Sequence, residues 1–251
     1  GTAITTGDGN VAVGKDALLA NTTPTQNVAV GSEALKCNTT GAGQNVAIGS
    51  QALLNNSTAA YNTAVGRQTL KENTTGQVNT AVGAFALKTN TTGTDNVAMG
   101  CGAMCLNTTG ASNVAIGLNA MCVNTIGANN VAMGRNALLA NIEGDCNVAI
   151  GKQALDSNTT ADNNTAVGAA SLGANTTGAE NTATGMTALA ANTTGGTNTA
   201  SGFRSLLTNT TGSDNSAFGS KALASATTAS NNTAVGASAL FANTTGTQNT
   251  A

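Results

Sequence analysis

The stretch "NTAVGAFALKTNTTG" (79–93) recurs along the whole chain with small changes. Its first five residues follow the pattern N-x-A-x-G. The Asn of that pattern stands at 10, 27, 45, 62, 79, 96, 113, 130, 147, 164, 181, 198, 215, 232 and 249. Every interval is 17 residues except 27 to 45, which is 18, and the extra residue falls in "GAGQ" (41–44). A fixed period of this length is the signature of a repeat architecture and precedes any reading of local structure. The 251 residues form one array of 14 complete units with partial units at both ends, and no linker or second domain interrupts residues 1–251. The array starts and stops inside a unit, so we expect a segment of a longer chain, without caps.

Numbered from its Asn, the unit reads N-x-A-x-G-x-x-A-L-x-x-N-T-T-G-x-x. Position 3 is Ala in all fifteen cases and position 5 is Gly in all fourteen. Position 9 is Leu twelve times and Met twice, at Met104 and Met121. Position 12 is Asn in every complete unit except at Ala226. All 20 charged residues sit at positions 6, 7, 10, 11, 14, 16 or 17. Those positions include the solvated ones, and the remaining positions are buried or conformationally restricted.

Seventeen residues are too few for a helix pair or a propeller blade, but they suit one coil of an all-β parallel β-solenoid, or β-roll. Positions 1–5 predict a strand. In "NVAVG" (27–31), Asn27, Ala29 and Gly31 point to one face and Val28 and Val30 to the other. The small, invariant face is assigned to the inside, with Asn stacked on Asn from coil to coil as an amide ladder. The apolar residues at positions 2 and 4 then face outward. A strand apolar on both faces is usually covered on both, so a partner chain is expected there. Positions 6–11 predict a second strand, with the column that begins Leu18, Leu35, Leu53 and Leu70 and ends at Leu240 as the spine of the core. "NTTG" closes the coil as a corner, since Asn and Gly tolerate positive φ and Thr hydroxyls bond nearby backbone. At about 4.8 Å per coil, the 14 coils predict a rod of roughly 65–70 Å.

The composition agrees with a thin, repetitive core: 2% aromatic, 8% charged, no Trp and no His. A net charge of -2 offers no polyanion footprint, so no nucleic-acid partner is expected. No apolar run is long enough to span a membrane.

"NVAIG" (45–49, 113–117, 147–151) and "NVAVG" (10–14, 27–31) resemble the head repeats of trimeric autotransporter adhesins, the YadA-like family. The longer unit at 79–93 also resembles repeats of phage and viral tail-fibre proteins. The resemblance spans essentially the whole chain. It implies a left-handed β-roll, three chains around one axis, and a place outside the cell.

The chemistry of the residues points away from an enzyme. There is no His, no clustered carboxylate pair and no nucleophile beside a base. Neither a cofactor nor a metal is expected. The acidic residues Asp8, Asp145 and Asp162 near the coil ends lack the pattern of calcium-binding rolls. The five cysteines, Cys37, Cys101, Cys105, Cys122 and Cys146, have no framework spacing. Cys105 and Cys122 share position 10 in successive coils, and two adjacent free thiols are expected there.

Position 12 carries one chemical address. Asn-x-Thr/Ser is an N-glycosylation acceptor in a secretory chain. It occurs at Asn21, Asn38, Asn56, Asn73, Asn90, Asn107, Asn158, Asn175, Asn192, Asn209 and Asn243. One reading makes these a rib of covalent glycans; the other, favoured because coils are only about 4.8 Å apart, makes them an inward Asn ladder. The function expected from all of this is a structural, extracellular fibre segment: an adhesin head, a tail-fibre shaft or a subunit of a surface filament. Its partners are copies of itself. The rival is a module that binds a glycan, a cell surface or ice through one flat face. The paired Thr of the corner are adjacent and so face opposite ways, which argues against ice.

Overall fold

The structure, a computed structural model, describes residues 6–41 and 43–251. Each repeat makes one coil of a parallel β-solenoid. The regular element in a coil is a three-residue strand at positions 2–4, preceded by the Asn and followed by the Gly. The chain divides into two compact units, Gly1–Ala128 and Asn129–Ala251. The first carries β1 (Val11–Val13) to β7 (Val114–Ile116), the second β8 (Val131–Met133) to β14 (Thr233–Val235).

Within each unit the strands stack in chain order, parallel and in register. In the first, β6 (Val97–Met99) pairs with β7 through Val97↔Val114, Ala98↔Ala115 and Met99↔Ile116. In the second, β10 (Thr165–Val167) pairs with β11 (Thr182–Thr184) through Thr165↔Thr182, Ala166↔Ala183 and Val167↔Thr184. The 18-residue interval leaves the register intact, because β2 (Val28–Val30) still pairs with β3 (Val46–Ile48) as Val28↔Val46 and Ala29↔Ala47. The extra residue is absorbed in the 41–44 corner, where Ala42 lies outside the described residues.

The inside of the strand is as its alternation predicts. Asn27 and Ala29 are fully buried, while Val28 and Val30 lie outward and half-buried. The Asn column forms a ladder: Asn79 donates its backbone N–H and its Nδ2–H to Oδ1 of Asn62, at 2.9 and 3.1 Å. The same contacts recur at Asn198 on Asn181, at 3.0 and 3.1 Å. The Ala column at position 8 and the Leu/Met column at position 9 complete the core, with Leu53, Leu87, Met104 and Leu155 among its largest fully buried side chains.

Positions 6–11 correct the expectation of a second strand: they form stacked turns. Two residues per coil, at positions 7 and 9, have left-handed backbone, for example Glu33 (φ 58°) and Leu35 (φ 48°). A strand needs φ near −120° throughout, so alternating signs of φ exclude it. Hydrogen bonds nevertheless join coil to coil through this half as well. Leu35 N–H donates to Ala52 O at 3.0 Å, Cys37 N–H to Leu54 O at 3.0 Å and Gln51 N–H to Ser32 O at 2.9 Å. The chain also bonds back within the coil, from Ala34 N–H to Gly31 O and from Asn56 N–H to Leu53 O. Buried backbone groups must find partners, and here the turns supply them without a strand.

Candidate functional site

Three surfaces of the coil carry the candidate chemistry: the "NTTG" corner, the outer face of the strands, and the variable columns between them.

The corner is held by position 12. Asn73 Nδ2 donates to Oδ1 of Asn56 in the preceding coil and to the carbonyl of Gly76 three residues on, both at 2.9 Å. Asn62, at position 1 of the same coil, donates to that same Gly76 carbonyl at 2.9 Å. Two amide ladders thus converge on one carbonyl at position 15. Burying an amide is costly unless its donors and acceptor are used, and this geometry uses them. Asn21, Asn38, Asn56, Asn73, Asn90, Asn107, Asn158, Asn175, Asn192 and Asn209 are all fully buried, while Asn243 is half-buried and donates to Gly246 O at 2.9 Å. In the folded coil, the Nδ2 atoms of the buried ten are thus turned inward and spent on hydrogen bonds. A sugar could reach them only on a chain that has not yet coiled.

The corner differs from its sequence reading in one respect. Among the described residues, neither its Asn nor its Gly has positive φ; the left-handed residues are at positions 5, 7, 9 and 17. The Gly of the corner answers to space. A Cβ on Gly76 would stand 2.3 Å from Gly93 O and 2.6 Å from Asn73 Oδ1. Only Gly, Ala and Pro occur in that column, as at Ala59, Ala161 and Pro24. The first Thr of the corner is also committed: Thr74 Oγ1 donates to Thr91 O, and Thr193 Oγ1 to Thr210 O, each at 3.0 Å. The second Thr, as at Thr75 and Thr92, is exposed.

The outer strand face is a recurring exposed apolar feature of the coils. In the first unit it presents Val11, Val13, Ile48, Val82 and Met99, and in the second Met133, Ile150, Phe218 and Val235. Around β11 and β12 (Thr199–Ser201) it turns polar, with Thr182, Thr184, Thr199 and Ser201.

The variable columns hold the charge. Glu33 and Lys36 pair at 2.8 Å and Lys71 and Glu72 at 2.9 Å. The hydrogen bond from Lys36, with help from Gln51, holds the Glu33 carboxyl below its usual range. Lys71 does the same for Glu72. Burial pushes the Asp156 carboxyl up, partly offset by a hydrogen bond from Gln153, and its Oδ1 has no partner. Arg67 lies over the Phe85 ring at 5.1 Å and Arg204 over Phe203 at 5.0 Å, distances at which a cation is attracted to the ring face. Of the candidate acids near the coil ends, Asp162 Oδ1 accepts the Asp145 N–H at 2.7 Å, and Asp8 Oδ1 accepts the Gly9 N–H at 2.7 Å. Among the described residues no three His, Cys, Asp or Glu side chains gather at one point. The cysteines are free thiols: Cys101 and Cys146 exposed, Cys37, Cys105 and Cys122 half-buried.

Comparison with known proteins gives no match: no family model, no curated protein and no solved structure matches this chain.

Sequence reasoning missed the left-handed Leu column, although a signal was present. Position 9 never holds Val or Ile in fourteen coils. The centre of a buried strand would favour those residues, whereas a β-branched side chain is a genuine outlier at positive φ. Their absence from the column was the readable trace of its backbone.

Proposed function

We propose that this chain is a structural segment of an extracellular fibre, a spacer and display element in which copies of the chain associate laterally through their strand faces. The observation that carries this reading is the outer strand face, which presents exposed or half-buried Val, Ile and Met in successive coils while the inward positions are filled by repeating Asn, Ala and Leu/Met columns. Contiguous exposed apolar surface of this kind marks an interaction site, and a second copy presents the complementary flat face. The coil is extendable by repetition, because each contacts only its neighbours, which is the property a spacer needs. The resemblance to adhesin head repeats and tail-fibre repeats supports three chains around an axis and a place on a cell or virion surface. Such a segment would serve as an adhesin head, a tail-fibre shaft or a subunit of a surface filament.

Electron microscopy of the purified chain, with sedimentation equilibrium on the same sample, tests the proposal. Elongated particles with a repeat of about 4.8 Å and a mass of several chains are expected. Compact monomers at micromolar concentration would remove it.

A further inference from the structure

Cys105 and Cys122 stand at position 10 of the coils that carry β6 and β7. The in-register pairing of those strands and the bonds Met104 N–H to Ala120 O (3.0 Å) and Leu106 N–H to Cys122 O (2.9 Å) hold the two residues side by side, one coil apart. Both thiols are half-buried. Lys88 occupies position 10 of the coil before, completing a column Lys88, Cys105, Cys122.

Two questions decide what such a pair can do. A disulfide needs Cβ atoms about 3.5–4.5 Å apart and turned toward each other. Stacked parallel coils hold equivalent side chains about 4.8 Å apart and pointing the same way. That spacing is wide for a sulfur–sulfur bond. It is close to the span of a sulfur–metal–sulfur bridge, about 4.5 Å for metal–thiolate bonds of roughly 2.3 Å. With only two ligands available, the matching ion is a soft cation satisfied by linear coordination, and thiolates select copper(I) among the biological ones.

We infer that Cys105 and Cys122 form a two-coordinate thiolate site for a soft monovalent cation of the copper(I) class, with Lys88 as the neighbouring counter-charge. Binding releases both thiol protons to solvent and transfers no electron. The resulting bis-thiolate complex carries one net negative charge, with Lys88 as the neighbouring cation of the same column. The site rests on the coil geometry and is independent of the fibre reading, since position 10 lies outside the strand face.

The test uses the whole reduced chain under anaerobic conditions, with copper(I) supplied as its acetonitrile complex against a chromophoric copper(I) chelator. One equivalent is expected to be withheld by the unaltered chain and by a variant carrying Cys37→Ser, Cys101→Ser and Cys146→Ser together. Cys105→Ser and Cys122→Ser should each weaken binding by more than the roughly 10–100-fold that loss of an outer-shell contact costs. X-ray absorption of the copper-loaded chain should show two sulfur neighbours. Retention of the ion by both single variants, its loss in the triple variant, or a third sulfur at the metal would overturn the assignment. Position 10 holds Leu, Lys, Asp, Gly, Ala and Phe in other coils, so Ser is tolerated there, and an unchanged circular dichroism spectrum verifies that each variant is folded.

Discussion

Ala226 is where the ladder of position 12 stops. In the coil before it, Asn209 donates to Asn192 Oδ1 and to Gly212 O, both hydrogen bonds normal at 2.8 and 2.9 Å. Its own Oδ1, buried, has no partner, because the next rung is a methyl group. An unsatisfied buried acceptor costs about 1–3 kcal/mol. Ala226→Asn would return the donor to Asn209 and place a second one on the Ala229 carbonyl, so it should stabilise the chain by about 1 kcal/mol, read as a raised denaturant midpoint. Asp156 presents the opposite case, a charge where burial resists one. A carboxyl whose pKa is higher in the folded than in the unfolded chain favours the fold while it is protonated. Its contribution is full below the ordinary value of 3.8 and is lost as pH climbs through the raised folded value. Glu33 and Glu72 are held low, so theirs is present above the ordinary 4.5 and fades as pH falls through their lowered values. Asp156→Asn isolates the first trend: variant and parent should unfold alike near pH 3, and the variant should be the more stable at pH 7 by about 0.5–1 kcal/mol, a partly solvated group giving the smaller effect. Equal stability at both pH values would refute this reading of Asp156.

At the scale of the element, the two glycines of the coil do different work. Position 5 turns the chain out of its strand with φ between 128° and 140°, for example at Gly83 (φ 128°). A Cβ there would also stand 2.6 Å from Gly100 O, so both torsion and space exclude a side chain. Position 15 crowds a side chain by space alone, and the array admits Ala there at Ala59, Ala161 and Ala229. Gly83→Ala should therefore cost about 3 kcal/mol or more, whereas Gly93→Ala should cost about 1 kcal/mol. Thermal unfolding of the two variants separates them, and similar losses would show that torsion is not the ground for the invariant Gly. The Leu column is explained by the same turns. A left-handed conformation costs a non-glycine residue of order 1 kcal/mol or more, and full burial of a Leu side chain contributes about 1.5–3 kcal/mol. The burial offsets the strain in each coil. This explains why position 9 is apolar and unbranched at Cβ in fourteen coils, while the left-handed positions 7, mostly half-buried, and 17, exposed, vary freely.

For the whole molecule, the consequence lies on the outer strand face. Ile48 is 40% exposed and contacts solvent with a side chain the coil itself does not need. A Lys at that point should change the stability of the single chain by no more than about 0.5 kcal/mol, yet it would desolvate a charge in any lateral association. Ile48→Lys together with Ile150→Lys should shift sedimentation toward the single chain of 24.3 kDa without altering the circular dichroism spectrum. An unaltered sedimentation profile would place the association elsewhere. The polar stretch from Thr182 to Ser201 should tolerate the same change with little effect, because it presents no apolar surface to lose.

The 17-residue period, the inward Asn and Ala columns and the outward apolar pair were legible in the chain by itself. They follow from spacing and from which positions never carry charge, and both are local properties of each repeat. The favoured inward reading of the position-12 Asn was equally open to inspection, since a ladder needs only the same amide in the same place of each coil. What the tertiary structure alone decided was the path of positions 6–11 and the positive φ of Leu and its neighbours. Backbone torsions there are set by hydrogen bonds to the coils above and below, 16 to 18 residues away, such as Leu53 N–H to Thr69 O at 3.0 Å. Local propensity reads an Ala-Leu segment as helix or strand; only the stacked neighbour makes a left-handed turn the arrangement in which the backbone N–H groups of positions 7 and 9 find carbonyl partners.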